Sequence, residues 1–256
     1  MKKVIGFLLR KVPRPVLQRF VGMGTKTAAL FLAGNNVVCT VCDKSFRNFL
    51  PFGRVESRDN ALCPNCLSLE RHRLIYTFLK EKTNFFTDKL RVLHVAPEIC
   101  FKKKFKTLDN LEYYTADLIS PWADIRLDIQ DNKQPDESYD VVMCNHVLEH
   151  VPSDVKALKE FYRILKPGGW AILQSPQDWS LDTTYEDPTI TDPKEREKHF
   201  KQDDHHRIYG KDYAERLKEG GFTIVEDDFV KKLNPDEIFK HGYDKNEVIY
   251  LCQKPN

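Results

Sequence analysis

Four cysteines in the N-terminal third of the chain have the spacing of metal ligands. Cys39 and Cys42 form one Cys-x2-Cys knuckle, Cys63 and Cys66 form a second, and 20 residues separate the two. Two such knuckles can supply four thiolates to one tetrahedral zinc ion. Because four protein ligands leave no open coordination position, the pattern predicts structural zinc rather than a catalytic metal. Four buried core cysteines, or two disulfides, are the alternatives.

Polar residues follow successive apolar segments in the central part of the chain. They are Glu98, Asp117, Asp128 and Asn145. If these segments are parallel strands, their carboxyl ends lie at one edge of a sheet, where the ligands of such sheets bind. Carboxylates and amides accept hydrogen bonds from ribose hydroxyls and from an adenine amino group. The set therefore indicates a nucleoside site, with solvated strand-end acids as the alternative.

Two further groups of side chains could do chemistry. His205 and His206 close a polar stretch, and a histidine can take a proton near neutral pH, so either is a candidate catalytic base or acceptor-orienting group. A capping and salt-bridge cluster before the next helix is an equally good interpretation. His146, Glu149 and His150 could hold a metal, but this pattern favours structural packing of the histidines.

The elements that must position these residues alternate between short apolar strands and polar helices. We expect strands near residues 90–95, 112–116, 124–128, 139–144, 170–175, 222–228 and 247–252. Alternation of this kind is typical of an α/β fold with a doubly wound, mostly parallel sheet, here of seven strands. A small N-terminal zinc module precedes the sheet.

The predicted organisation has four parts. Residues 1–35 form a basic amphipathic segment, residues 36–67 the zinc module, residues 68–88 a linking helix, and residues 89–256 the α/β domain, which contains a polar insertion at 177–208. In the linking helix, apolar residues recur at helical spacing after Ser68, a candidate N-cap. An insertion at the ligand end of a sheet is often a lid or a substrate-binding element.

Charge is distributed unevenly along the chain. Its net charge is +2, yet the first 36 residues contain seven Lys and Arg and no acid, so the remainder is net acidic. Residues 1–33 could lie on an anionic membrane surface, contact RNA phosphates, or dock as a helix on the α/β domain. With no long apolar run, no cleavage site and an odd cysteine count, we expect a cytoplasmic protein, with peripheral attachment to the inner membrane face as the alternative.

Three sequence tracts resemble the class I S-adenosylmethionine-dependent methyltransferases of the type-11 group. The tracts are YDVVMCNHVLEHV, LKPGGWAIL and HHRIYGKDYAERLKEGGFTIV, and the resemblance covers roughly residues 89–254. It implies that Asp117 holds the ribose diol of S-adenosylmethionine and that Asp128 accepts from the adenine amino group. It further implies that Leu118 and Ile129 pack on the adenine ring, and that Glu98 and Asn145 line the same pocket.

The resemblance implies a methyltransferase whose acceptor the sequence does not name. A small molecule or an envelope or lipid-linked precursor is the first hypothesis, because the chain is weakly basic outside residues 1–33. An RNA methyltransferase that grips nucleic acid with its zinc module is the second. A binding protein of the same fold without turnover is the third, favoured by the first turn, His94-Val95-Ala96-Pro97-Glu98, which lacks the glycine usual in the family.

Overall fold

The computed structural model describes residue 25, residues 29–53 and residues 57–256. These residues divide into two compact units. The first unit combines the chain up to Thr83 with Phe229–Glu247, and the second combines Asn84–Asp228 with Val248–Asn256. The basic residues of the N-terminal segment all lie outside the described part, so its membrane and RNA contacts stay predictions.

The first unit contains two small antiparallel sheets and a long helix. Its elements before Thr83 are β1 (Ala33–Val38), β2 (Ser45–Phe46), β3 (Leu50–Phe52), β4 (Arg58–Leu62) and α1 (Glu70–Lys82). β1 pairs with β2, and β3 pairs with β4. The apolar residues at helical spacing in α1 are buried, as the periodicity predicts. The N-cap of α1 is Leu69 rather than Ser68, because the His72 side chain accepts a hydrogen bond from the Leu69 backbone.

One buried arginine holds the first unit together. Arg73 is fully buried, and its guanidinium donates to the carbonyl oxygens of Ala61, Ser68, His241 and Gly242 at 2.6 to 2.9 Å. The last two acceptors end a helix in the segment Phe229–Glu247, which the sequence had placed in the α/β domain. A buried guanidinium is stable only with such partners, so Arg73 ties this distant segment to the cysteine knuckles.

The second unit is an α/β fold built on a seven-stranded sheet. The remaining elements in chain order are β5 (Leu90–Val95), α2 (Ile99–Phe105), β6 (Leu111–Asp117), β7 (Ile125–Arg126), β8 (Tyr139–Asn145), α3 (Asp154–Ile164), β9 (Leu165–Gln174), β10 (Tyr185–Glu186), α4 (Pro193–Phe200), β11 (Arg207–Ile208), α5 (Tyr213–Lys218), β12 (Thr223–Asp227), α6 (Pro235–His241, in the first unit) and β13 (Ile249–Gln253). The sheet order is β12-β13-β9-β8-β5-β6-β7.

All neighbouring strands of this sheet run parallel except at β13, which is antiparallel to both β9 and β12. The predicted fold class, a mostly parallel sheet of seven strands, is confirmed. Strand β9 begins at Leu165, earlier than expected, because Leu165 pairs with Tyr139 across an irregularity in the ladder. The Lys-Pro-Gly-Gly sequence therefore lies within a strand and does not form a separate turn.

The core of the second unit lies between the sheet and its helices. Helix α3 buries Ala157, Leu158, Phe161 and Ile164, a set spaced along one helical face. Burying a Leu, Ile or Phe side chain stabilises a fold by about 1.5–3 kcal/mol, so this face fixes α3 against the sheet. Within residues 29–53 and 57–256, no helix combines the length and apolarity needed to cross a bilayer.

The polar insertion at 177–208 is an ordered substructure. It contains the antiparallel pair β10–β11 and helix α4. Arg207, which is 2% exposed, donates to the carbonyl oxygens of Leu148, Val151 and Pro152 and to the Glu186 carboxylate. These bonds anchor the end of the insertion to the turn that follows β8.

Candidate functional site

The four cysteine sulfurs of the first unit converge on one point. All four lie within 4.8 Å of one another, with Cys39 and Cys66 separated by 3.6 Å and Cys42 and Cys63 by 3.7 Å. Four zinc–sulfur bonds of about 2.3 Å in a tetrahedron place the sulfurs about 3.8 Å apart. The arrangement therefore fits a tetrahedral zinc site, and the Ser68 hydroxyl adds a contact at 3.1 Å from Cys39 Sγ.

Hydrogen bonds among the four thiols couple their protonation. They lower the pKa of Cys39 and raise the pKa of Cys63 and of Cys66. Four thiolates at this spacing would repel one another unless a cation neutralised them. Burial lowers the pKa of Arg73 nearby, and the charge of the cysteines opposes this shift.

In the second unit, the ends of β5 and β8 form the point at which the strand order reverses. Chain connections run from β5 outward to β6 and β7, and then return to β8 on the other side of β5. Ligands of doubly wound sheets bind in this crevice. Glu98, after β5, and Asn145, the last residue of β8, meet here, with Asn145 Nδ2 donating to Glu98 Oε1 at 3.0 Å.

The Glu98 carboxylate is held from a second side by a histidine that the sequence did not single out. His94 is fully buried in β5, with its Nε2 2.7 Å from Glu98 Oε2 and its Nδ1 2.6 Å from the Tyr113 hydroxyl. Asn145 is 6% exposed, and its Oδ1 is buried without a partner among the described residues. This orphaned acceptor fits a ligand that brings a hydrogen-bond donor into the crevice.

The backbone on both sides of the crevice is strained. Ala96 after β5 and His146 after β8 have φ angles of 46° and 55°, in the left-handed region that glycine adopts without cost. Ala96 thus takes, without being glycine, a backbone conformation that glycine adopts most readily. Non-glycine residues in this region cost about 1–3 kcal/mol and cluster at functional sites. The turn after β5 therefore forms although it contains no glycine.

Asp117, the predicted ribose ligand, is the last residue of β6. Its Oδ1 accepts from the backbone N–H groups of Ile119 and Ser120, at 2.9 and 2.8 Å, while no described residue bonds its Oδ2. The side chain is therefore oriented by its own turn, with one oxygen available. Leu118 beside it is 54% exposed, which leaves an apolar surface for a ligand ring.

Asp128 and Ile129 follow β7 and differ in environment. Asp128 is exposed, and its Oδ1 accepts from the Gln130 backbone at 2.9 Å. Ile129 is 4% exposed and belongs to the hydrophobic core. The adenine-binding role given to these two residues stays a prediction. Any contact of Ile129 with a ring would use the small part of its surface that the core leaves open.

The histidine groups that are separate in sequence come together beyond the ends of β8 and β9. Ligand atoms of Glu149, His150 and His205 lie within 4.8 Å of one another. The His206 backbone N–H donates to the Glu149 carbonyl at 2.8 Å, and Ser175, which follows β9, donates to Glu149 Oε2 at 3.1 Å. A spacing rule could not have predicted this contact, because more than 50 residues separate His150 from His205 in the sequence.

The two predicted catalytic histidines are not equivalent. Burial, with the charge of His150, lowers the pKa of His205 to about 4. Burial and the charges of Arg196 and Arg207 also lower the pKa of His206, whose side chain is less buried. Since a general base works best with a pKa near the working pH, His206 is the better candidate of the two.

Comparison with known proteins gives the family. A family model described as "Methyltransferase domain" matches residues 94–227, just over half of the chain. A search of curated proteins finds no match.

Several solved structures are similar to the chain. A S-adenosylmethionine dependent methyltransferase from Mesorhizobium loti is 14% identical, with 68% of this chain and 99% of that chain covered and a TM-score of 0.46. The YcgJ protein from Bacillus subtilis is 14% identical, with coverages of 73% and 99% and a TM-score of 0.46. The 1,6-didemethyltoxoflavin-N1-methyltransferase of Burkholderia thailandensis, solved with S-adenosylhomocysteine, is 13% identical, with coverages of 66% and 72% and a TM-score of 0.45.

The matched range 94–227 begins within β5 and ends with β12, so it contains Glu98, Asp117, Asn145 and the histidine cluster. The chain belongs to the methyltransferase domain family.

Proposed function

We propose that the chain is an S-adenosylmethionine-dependent methyltransferase that acts on a small molecule or on an envelope or lipid-linked precursor. The observation that carries the proposal is the crevice between β5 and β8, where Asn145 Oδ1 is a buried acceptor without a partner among the described residues. A bound sulfonium cofactor would supply the methyl group. Its α-ammonium group is a donor from which Asn145 Oδ1 could accept a hydrogen bond.

The remaining cofactor contacts would come from the next two strands. Asp117 Oδ2 would accept from the ribose diol, Leu118 would cover one face of the adenine, and Asp128 would accept from the adenine amino group with Ile129 beneath it. The environment of Asp117 supports this role, because two backbone N–H groups already fix its carboxylate at the end of β6. A preoriented carboxylate loses little freedom when it binds a ligand.

Replacing Asp117 with Ala is expected to weaken binding of S-adenosylmethionine by at least about tenfold. Hydrogen bonds to a charged acceptor contribute about 1.5–3 kcal/mol, and 1.4 kcal/mol corresponds to a factor of ten. Titration calorimetry measures the affinity. Asp109→Ala is the matched control, since Asp109 is exposed and lies before the opposite end of β6. Equal affinity in wild type and Asp117→Ala would remove the assignment, and a folded wild type that binds no cofactor would favour the non-catalytic hypothesis.

His206 would orient the methyl acceptor or take its proton. It follows the ordered insertion, is tied by its backbone to the Glu149 turn, and retains partial exposure. Methyl transfer from a sulfonium is an in-line displacement, so the protein mainly positions the acceptor and removes a proton from it. His205 is buried and is the weaker base of the pair.

His206→Ala is expected to lower turnover by about 10²–10⁴-fold while cofactor affinity stays nearly unchanged, because a positioned base contributes about this factor. Single-turnover kinetics with an identified acceptor would give the rate, and calorimetry would give the affinity. His199→Ala serves as the control, because His199 is an exposed histidine of the same insertion. Wild-type turnover in His206→Ala would show that solvent or the acceptor itself handles the proton.

A further inference from the structure

The cluster of Glu149, His150 and His205 in the second unit is a second candidate metal site. One ligand atom from each residue lies within 4.8 Å of the other two. Glu149 is 2% exposed and His205 is 6% exposed, so two of the three donors are withdrawn from solvent. The rings of His150 and His205 meet edge to face with centroids 4.6 Å apart. Neither the proposed cofactor contacts nor the role of His206 uses these side chains.

The state of His205 is what points to a ligand. Its Nε2 is buried and has no hydrogen-bond partner among the described residues. A neutral imidazole nitrogen of this kind is a common metal ligand. An unsatisfied buried nitrogen costs about 1–3 kcal/mol, a cost that coordination would remove.

The other two donors have neighbouring groups that orient them. Ser175 donates to Glu149 Oε2 at 3.1 Å, and Asp204 Oδ2 lies 3.3 Å from His150 Nδ1. The second Glu149 oxygen, Oε1, lies 3.9 Å from His150 Nε2 and 3.6 Å from His146 Nδ1. In Glu149 and His150, a neighbouring group therefore orients the side chain whose other polar atom lies at the cluster.

We propose that Glu149, His150 and His205 bind a divalent first-row transition-metal ion. Two imidazoles and one carboxylate suit zinc, manganese or iron(II), and three protein ligands leave coordination positions open, as in catalytic rather than structural sites. The cluster lies beyond the ends of β8 and β9, beside the crevice. The open positions fit an oxygen of the methyl acceptor. This role toward the acceptor rests on the proposed function, whereas metal binding itself does not.

Manganese is the probe that separates this site from the cysteine cluster, because thiolates select softer ions such as zinc. Protein that carries one equivalent of zinc, which the four thiolates take, and has been freed of any further metal is titrated with Mn²⁺. Calorimetry and electron paramagnetic resonance should then show one bound Mn²⁺ ion per chain. Glu149→Gln, His150→Ala and His205→Ala should each weaken Mn²⁺ binding by at least about tenfold. Even the loss of a residue that only hydrogen-bonds a metal ligand typically lowers metal affinity by about 10–100-fold. His199→Ala should bind Mn²⁺ as the wild type does.

Circular dichroism and cofactor calorimetry accompany each titration. If the buried variants fail to fold, His150→Ala decides, because its side chain is 31% exposed. The inference is overturned if folded wild type binds no Mn²⁺, or if His150→Ala binds it with unchanged affinity. Loss of Mn²⁺ binding with retained S-adenosylmethionine binding supports the metal site. A wild type that binds Mn²⁺ but no S-adenosylmethionine would instead overturn the proposed function and leave the metal site standing.

Discussion

Replacing Cys63 with Ser is expected to unfold the first unit and to lower the zinc content of the protein by one ion per chain. The two sheets of the first unit have only two short strands each, and isolated two-stranded hairpins are marginal in water. Structural zinc contributes about 10–16 kcal/mol of apparent free energy in small zinc domains, which is more than the stability of most domains. Losing one ligand of four should therefore leave this unit without a stable fold.

Elemental analysis gives the zinc content, and hydrogen exchange resolved by peptide reports unfolding of residues 29–53 and 57–83. Cys100→Ser is the matched control, because Cys100 is a buried cysteine that belongs neither to the cluster nor to a disulfide. It should retain the zinc and the protection of the first unit. A folded wild type without metal, or a Cys63→Ser protein with full zinc content, would contradict structural zinc.

Replacing Asp154, the first residue of α3, with Ala is expected to cause the second large effect, a loss of stability in the second unit. Asp154 is 1% exposed, accepts two bonds from Arg216 at 2.9 and 3.0 Å, and accepts one from the Tyr209 hydroxyl at 2.8 Å. Arg207 Nε lies 3.7 Å away. Removing one partner of a buried ion pair typically costs about 3–5 kcal/mol, because the other partner keeps its desolvation cost. Asp154→Ala should therefore lower the free energy of unfolding of the second unit by about that amount.

The same carboxylate predicts how stability depends on pH. Burial acts to raise the pKa of Asp154, but the bonds from Arg216 and the charge of Arg207 outweigh it, and the pKa lies below its usual value. The stabilisation is then fully present above the unfolded pKa of about 3.9 and is lost as pH falls through the folded pKa. Denaturant titrations from pH 7 to 3 measure the free energy of unfolding. On acidification this free energy should fall less for Asp154→Ala than for wild type.

Asp182→Ala is the control for this measurement. Asp182 pairs with Lys211 at 2.7 Å, but its side chain is 88% exposed. Exposed pairs contribute about 0–1 kcal/mol, so this variant should unfold close to wild type. If Asp154→Ala is as stable as Asp182→Ala, the buried network does not anchor the insertion.

The sheet could be predicted from the sequence because its signal is local. Most of the seven strands contain a short apolar run, and the polar residues at Asp117 and Asn145 mark where two of them end. The beginning of β9 could not be predicted, since pairing with Tyr139 rather than residue preference extends it through Gly168 and Gly169. The cysteine site could also be predicted from the sequence, because the spacing of the two Cys-x2-Cys knuckles alone indicates zinc ligands.

The parts that could not be predicted depend on contacts between residues far apart in sequence. Arg73 finds its acceptors at His241 and Gly242, nearly 170 residues later, and a lone arginine on a helix gives no sign of this. His205 meets His150 only because Arg207 fixes the end of the insertion against the turn after β8. Ser68 looked like a helix cap and instead contacts Cys39, since capping and thiolate contacts use the same hydroxyl chemistry.

The position of β13 has a consequence for synthesis on the ribosome. β13 is the last of the seven strands in chain order, yet it lies inside the sheet, between β9 and β12. A nascent chain that stops before Ile249 therefore carries β9 with an unpaired apolar edge and β12 with no neighbour. Open edges of this kind attract other chains. Release of the final strand from the exit tunnel is thus the step that ends the period in which the growing polypeptide needs protection by chaperones.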